Sequence, residues 1–453
     1  MRGNNVNRKH HVRALAGLAV MALVAASCGS DSDSSSDTDA PVETEAAVET
    51  TTADTEPADT EPADTEPADT EPADTTAPDA GEGFGALAPP TGEPILVGMV
   101  NTEGTPPTDF PEISAAARLA VDYLNEHGGM GGRPIEMEYC KTAPAPEVSQ
   151  ACAQELTGKG VELVMLGLDI FPAYDVYTAT GTPVIGVLPL FPPDYAADAL
   201  YLGGGNTTTN SAIVAFAEQN FGAKSVGIIS ADDVATNSSE TSLIAVLEKA
   251  GISYVSIKGG NNETDAGYQG LVREAAAGNP DVLISLYSAA GCIGTMRARA
   301  SLGIEIPAIT TPLCAGIEVL DVVGEDAAGW YFAGIGTPAE TTAEADMATV
   351  MEGLNGQTGG IGPLGITGLM TIASVANTVA AEGGDVTGAS IYERLGTSTD
   401  LVDFPDGRPL TCGAASQIPS VCSFIFPVSE YVGDGLIQTV PGFEALDTLS
   451  YVP

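Results

Sequence analysis

The sequence predicts an α/β protein built as two lobes with parallel sheets, and three observations carry that prediction. Between Ile95 and Glu138 the chain runs strand, amphipathic helix, glycine-rich turn and strand, which is one βαβ unit. The alternation continues to Gly203-Gly204-Gly205-Asn206, breaks there, and starts again as a second series. Near Gly334-Ile335-Gly336 the second series ends and the chain returns to the first lobe. Each series is too short for one large domain, so two lobes with a cleft between them are expected.

The first series is read as follows. Ile95-Leu96-Val97-Gly98-Met99-Val100 is a short apolar run with β-branched residues, hence a buried strand. Ser114 is the expected N-cap of a helix with Ala117, Ala120, Val121 and Leu124 on one face. Asn125-Glu126-His127-Gly128-Gly129 stops that helix, because glycine takes the left-handed C-cap cheaply. Ile135 to Tyr139 is the next strand, Cys152 to Leu156 continues a helix, and Val161 to Leu166 is a buried strand. That strand opens into Gly167-Leu168-Asp169-Ile170, leading to Phe171-Pro172-Ala173-Tyr174. Val184 to Val187 follows, then the loop Leu188-Pro189-Leu190-Phe191-Pro192-Pro193. Loops at these strand ends are where α/β sheets bind ligands.

In the second series, helices are expected at Ser211 to Phe221, Thr241 to Ala250, Tyr268 to Ala277 and Cys292 to Leu302, the last with Arg297 and Arg299 solvated. Strands alternate with them at Ser225 to Ile229, Ser253 to Ile257, Asp281 to Leu286 and Pro307 to Thr311. The helix from Thr367 through Ala381 is rich in small and apolar residues and short for a membrane span, so it is a core helix. Ser423 to Pro427 and Gly435 to Thr439 read as strands of a hairpin-like end.

The two ends of the chain differ in kind. Arg2, Arg8, Lys9 and Arg13 precede an apolar run from Ala14 to Ala26, shorter than the roughly 20 residues of a spanning helix. A basic head, a short apolar middle and small residues describe a secretory signal peptide. Cys28, directly after Ala25-Ala26-Ser27, resembles a bacterial lipobox cysteine that becomes the lipid-bearing first residue of the mature chain. A plain signal peptide with Cys28 incidental is the alternative. Residues 29–92 carry Thr-Glu-Pro-Ala-Asp repeats from Thr55 to Asp74 and no Lys or Arg. With almost nothing to bury and strong like-charge repulsion, this segment is expected to be a disordered, extended spacer.

The formal charge of −45 argues against nucleic acid as a partner, since such binding needs a basic footprint. Seven cysteines divide into Cys28 and six others, which in an exported chain fit three disulfides. Pairing by proximity gives Cys140 with Cys152, Cys292 with Cys314 and Cys412 with Cys422, one of many possible connectivities. No CxxC occurs, and His127 alone of the histidines lies past the leader, so no metal site is expected. Neither a G-x-S-x-G elbow, a Walker loop nor a histidine pair is present, and no cofactor or enzymatic activity is expected.

Arg118-Leu119-Ala120-Val121-Asp122-Tyr123-Leu124-Asn125, followed by Gly128-Gly129-Met130-Gly131-Gly132-Arg133-Pro134-Ile135-Glu136, resembles the opening of leucine/isoleucine/valine-binding proteins. These are type I periplasmic solute receptors of ABC importers. Thr182-Pro183-Val184-Ile185 and Pro280-Asp281-Val282-Leu283-Ile284 fit the same family in the same order. The resemblance implies two Rossmann-like lobes joined by three crossings, closing on a solute and presenting it to an ABC permease. Lobe 1 would comprise 93–206 and 337–400, and lobe 2 would comprise 207–336 and 401–453. It also implies a monomer, tethered by lipid to the outer face of the cell membrane. The competing reading is a surface sensor or adhesion module of the same fold without a permease.

In that family a serine after the third strand, and backbone with a threonine after the fourth, hold the amino-acid carboxylate. The matching places here are Asp169-Ile170 and Leu188-Pro189-Leu190, without the hydroxyls. Aromatic and acidic residues of the second lobe hold the ammonium; here the places are Tyr287-Ser288-Ala289 and Thr310-Thr311-Pro312-Leu313, and no glutamate stands among them. A buried charged head group needs paired partners. The expected solute is therefore branched-chain amino acid-like or more apolar and uncharged. Asp169, Tyr174, Tyr287, Ser288, Thr310 and Thr311 supply polar groups, and Ile170, Leu188, Leu190 and Phe191 line the site. The alternative is that these side chains are core under the loops.

Overall fold

The computed structural model describes residues 83–453 apart from 86, 106–107, 289, 339 and 355–360. The expected signal peptide with Cys28, and the expected spacer up to residue 82, lie outside the described residues. The spacer does not extend to 92 as expected: Phe84 packs on Phe404 with ring centroids 5.3 Å apart and donates its N–H to Asp346 at 2.7 Å, and the Ala88 N–H donates to the Glu126 carbonyl at 2.9 Å.

The first lobe begins with β1 (Ile95–Thr102), α1 (Pro111–Glu126), β2 (Ile135–Thr142), α2 (Pro146–Lys159) and β3 (Leu163–Leu166). It continues with α3 (Tyr174–Thr180), β4 (Val184–Gly186), α4 (Pro192–Tyr195) and β5 (Leu200–Tyr201). Its strands pair in the order β2-β1-β3-β4-β5, parallel throughout. Strand β1 is buried almost end to end because sheet neighbours flank it and helices cover both faces. Helix α1 starts three residues before the expected cap Ser114. Pro111 opens it, with its φ preset and no N–H to lose. Ser114 is instead buried in the first turn and bonds to Glu103 and Tyr139.

The second lobe holds α5 (Gly205–Phe221), β6 (Ser225–Ala231), α6 (Val234–Ala250), β7 (Ser253–Gly259) and α7 (Asp265–Ala275). Then come β8 (Val282–Leu286), α8 (Ala290–Ser301), β9 (Ala308–Thr310), α9 (Ile317–Val323) and β10 (Trp330–Ala333). Helix α6 starts well before Thr241, because the Asp233 carboxylate caps it by accepting the Thr236 N–H at 2.9 Å. Arg299, expected in solvent, is 6% exposed. Its guanidinium donates to the carbonyls of Ile306 (2.8 Å) and Ala328 (2.7 Å), which the α8 pattern alone could not announce.

The chain then returns through α10 (Thr342–Glu352), α11 (Pro363–Ala381) and α12 (Gly388–Thr397), whose apolar side chains join the first lobe's core. Helix α11 is long and apolar enough to cross a bilayer, yet it is a core helix. Gly365 lets it approach α1 closely: a Cβ there would lie 2.1 Å from the Ile113 carbonyl oxygen. Leu401, Phe404, Leu410 and Cys422 also belong to the first lobe's core. The segment after 400 therefore does not pass at once to the second lobe, as the boundary at 401 expected. Its apolar residues are irregularly spaced among turns, so no periodicity marks which core receives them.

The chain ends in β11 (Ile425–Phe426), β12 (Val428–Gly433), β13 (Leu436–Thr439) and β14 (Leu446–Asp447). Among the described residues the second sheet runs β13-β12-β10-β9-β8-β6-β7, with β12 and β13 antiparallel as a hairpin at one edge. Its inner strands are parallel. The lobes are thus joined where the chain leaves β5, where it leaves β10, and again before β12. Disulfides join Cys140 to Cys152, Cys292 to Cys314 and Cys412 to Cys422.

Candidate functional site

The loops at the C-terminal ends of β2, β3 and β4 enclose a pocket of about 470 Å³ in the first lobe. Ile170, Phe171 and Tyr174 line it after β3, Phe191 and Asp194 after β4, and Pro146 and Gln150 of α2, both exposed, complete the lining. Prolines at 146 and 192 start α2 and α4 at fixed places, which sets the walls.

Asp194 is 2% exposed. It accepts the N–H groups of Leu190 and Phe191, each at 2.8 Å, on one oxygen and the Tyr174 hydroxyl at 2.7 Å on the other. Tyr174 and Tyr201 are also hydrogen-bonded through their hydroxyls. Tyr201 fits there because residue 186 is glycine: a Cβ would stand 2.2 Å from the Tyr201 ring. Burial, reinforced by each other and by Asp194, pushes the ionisation of Tyr174 far above the ordinary phenol range. Burial does the same for Tyr201. Both phenols stay neutral.

Asp169 is 3% exposed and sits beside the pocket lining. One carboxylate oxygen accepts from Ser149 (2.6 Å), Thr142 (3.3 Å) and the Phe171 N–H (3.3 Å). The other oxygen is buried with no hydrogen-bond partner among the described residues. Burial raises the carboxyl's ionisation above its ordinary value; the three donors pull it back in part, and nearby Asp194 adds to the rise.

Two further buried carboxylates, Glu103 just after β1 and Glu240 inside α6, each have a lysine. Glu103 accepts from Ser114, Tyr139 and Asn101 and pairs with Lys141 at 3.0 Å. Burial pushes it up, but these hydrogen bonds outweigh burial and hold it below the usual carboxylate range. In the second lobe Glu240 accepts from Ser230 (2.8 Å) and Ser256 and pairs with Lys258 at 3.0 Å. Among the described residues neither Asp169 nor Asp194 has an ion-pair partner, and no Lys, Arg or His lines the pocket.

Of the residues singled out from sequence, Ile170, Tyr174 and Phe191 line this pocket and Asp169 adjoins it. Leu188 and Leu190 are half-buried against the first core instead. In the second lobe Thr310 is fully buried, and its hydroxyl donates to the Ser285 carbonyl (2.9 Å) and contacts Cys314 Sγ (3.2 Å). Strand β9 lies between β8 and β10, so Thr310 is flanked by strands on both sides. Tyr287 is also buried, donating to the Gly260 carbonyl at 3.2 Å, with Tyr268 edge-on at 5.7 Å. Thr310 and Tyr287 are thus core under the loops. Ser288 is exposed, and the Thr311 hydroxyl is buried without a partner among the described residues.

Sequence reading missed Asp194, Tyr201 and Gln150. Asp194 follows two prolines at the start of α4, where a carboxylate can reach back to cap the turn, and that signal was readable. Tyr201 and Gln150 are brought in by folding alone. Apolar side chains exposed at strand ends include Phe171 (43%) in the first lobe and Leu313 (47%) in the second.

A family model described as periplasmic binding protein matches residues 94–430. No curated protein sequence matches the chain. Among solved structures, a substrate-binding protein of an ABC transporter from Sphaerobacter thermophilus is similar at 18% identity and TM-score 0.61, covering 79% of this chain and 100% of that one. A putative branched-chain amino acid ABC transporter protein from Rhodospirillum rubrum matches at 16% identity and TM-score 0.62, over 76% of this chain and 99% of that one. A solute-binding protein from R. palustris, solved with 4-hydroxybenzoate, matches at 16% identity and TM-score 0.54, over 78% of this chain and 96% of that one.

Proposed function

The chain belongs to the periplasmic binding protein family, and from that premise we propose that it is a lipid-anchored solute receptor of an ABC importer. It binds a small organic solute at the first-lobe pocket, and the second lobe closes over it without chemical change. The observation that carries this reading is the pocket itself: a partly open cavity lined mainly by apolar and aromatic side chains at the C-terminal ends of parallel strands. Exposed Phe171 and Leu313 at the strand ends are side chains that closure would cover.

Cys28 carries the lipid, and the acidic repeats that follow it act as the spacer between the membrane and the folded part. The receptor acts as a monomer and delivers its solute to a permease. Ile170, Tyr174 and Phe191 contact the solute, with Asp169 beside them and Ser288 and Thr311 on the closing lobe. The 4-hydroxybenzoate of the R. palustris protein is one model for an aromatic solute. Its carboxylate, however, would meet Asp194 with no lining cation to offset it.

The test is ligand-dependent compaction of full-length protein in detergent. A small solute should raise the melting temperature saturably and reduce the radius of gyration in X-ray scattering, while the solute is recovered unchanged. Turnover of the solute, or saturable binding with no compaction, overturns the reading. Cys28→Ala should move the protein from the membrane fraction to the medium; retention in the membrane overturns the anchor.

A further inference from the structure

We propose that the first-lobe pocket selects an organic cation: a substituted ammonium whose charge lies among Phe171, Tyr174 and Phe191 beside the carboxylate of Asp194. This rests on the receptor reading above and specifies its solute class. It departs from the uncharged solute expected from the missing hydroxyls and from the absence of a second-lobe glutamate.

Two features point the same way. The pocket is aromatic, with Phe171, Tyr174 and Phe191 in its lining, and aromatic faces attract a cation that has shed water. It is also acidic: Asp175 and Asp194 line it, and no Lys, Arg or His does. Glu103 and Glu240 each hold a lysine at 3.0 Å, but among the described residues Asp194 holds none. Its carboxylate is held by the Leu190 and Phe191 N–H groups and the Tyr174 hydroxyl, neutral donors that fix the charge in the pocket lining without cancelling it.

An anion fits none of this. It would face Asp194 and Asp175 across the pocket, with no lining cation to receive it. A neutral solute would gain the apolar walls but nothing from the lining carboxylates.

The experiment is calorimetric titration of the full-length protein with choline. Its controls are dimethylbutanol, which replaces the ammonium nitrogen by carbon, and benzoate. Choline should bind about tenfold or more tightly than dimethylbutanol, as a desolvated cation–π contact with a carboxylate behind it requires. Gln150→Lys, at an exposed position of the lining, should weaken choline about tenfold and dimethylbutanol by less. Phe171→Ala should weaken choline while leaving the unfolding midpoint unchanged, since this ring is 43% exposed. Dimethylbutanol binding as tightly as choline, or no binding of choline, overturns the inference. Benzoate binding that Gln150→Lys strengthens would overturn it too, while leaving the receptor reading intact. Failure of the receptor reading would show separately, as absence of compaction with any bound solute.

Discussion

The Tyr174 hydroxyl donates to Asp194 at 2.7 Å, and through that bond the first turn of α3 is tied to the first turn of α4. The Tyr201 hydroxyl closes the group from β5. Two lining elements of the pocket and the strand behind them are thereby held together. Tyr174→Phe removes both bonds and leaves a buried carboxylate oxygen unmatched. It should cost about 1–3 kcal/mol, read from the denaturant midpoint, and should also weaken solute binding. An unchanged midpoint would show that these elements are held by packing alone.

Asp169 provides a pH signature. Its folded-state ionisation lies above the ordinary value of 3.8 because burial disfavours the charged form. The folded state therefore holds its proton more tightly than the unfolded chain. Its contribution is most favourable below the unfolded value and is lost as pH rises from there through the raised one. Asp169→Asn cannot lose a proton, so its stability relative to wild type should rise across that window. Parallel stability curves for the two proteins would refute the assignment.

Two helix glycines should respond in opposite directions. At Gly365 a Cβ would press on the Ile113 carbonyl oxygen at 2.1 Å, and backbone cannot swing aside. Gly365→Ala should cost about 1–3 kcal/mol. Gly270, inside α7, has nothing within 4 Å of an added Cβ, so Gly270→Ala should gain about 0.5–1 kcal/mol. Thermal unfolding of the two variants reads the difference in sign.

Removing a cross-link should act mainly through the unfolded chain. Replacing Cys140 and Cys152 by serine opens a loop with sequence separation 12 and should cost roughly 2–4 kcal/mol in unfolding free energy. The Cys292–Cys314 loop, with separation 22, should cost slightly more on the same entropic argument. Unfolding of each double variant in guanidinium checks both.

The sequence by itself determined the α/β class, the break between lobes near Gly203 and most elements, because each is written in local periodicity. The βαβ unit from Ile95 is the clearest case, with a strand of β-branched residues, a helical stripe and glycines to end it. The strand ends near Asp169 and Phe191 were legible as ligand-facing loops for the same reason. Tertiary structure alone decided what those loops contain. It buried Thr310 and Tyr287 in the second lobe, placed Leu401, Phe404, Leu410 and Cys422 in the first lobe's core, brought Gln150 to the pocket and set Tyr201 against Tyr174. It also decided which acids have a lysine and which have none. Burial and pairing depend on segments far apart in sequence meeting in space, and no local pattern of residues encodes where they meet.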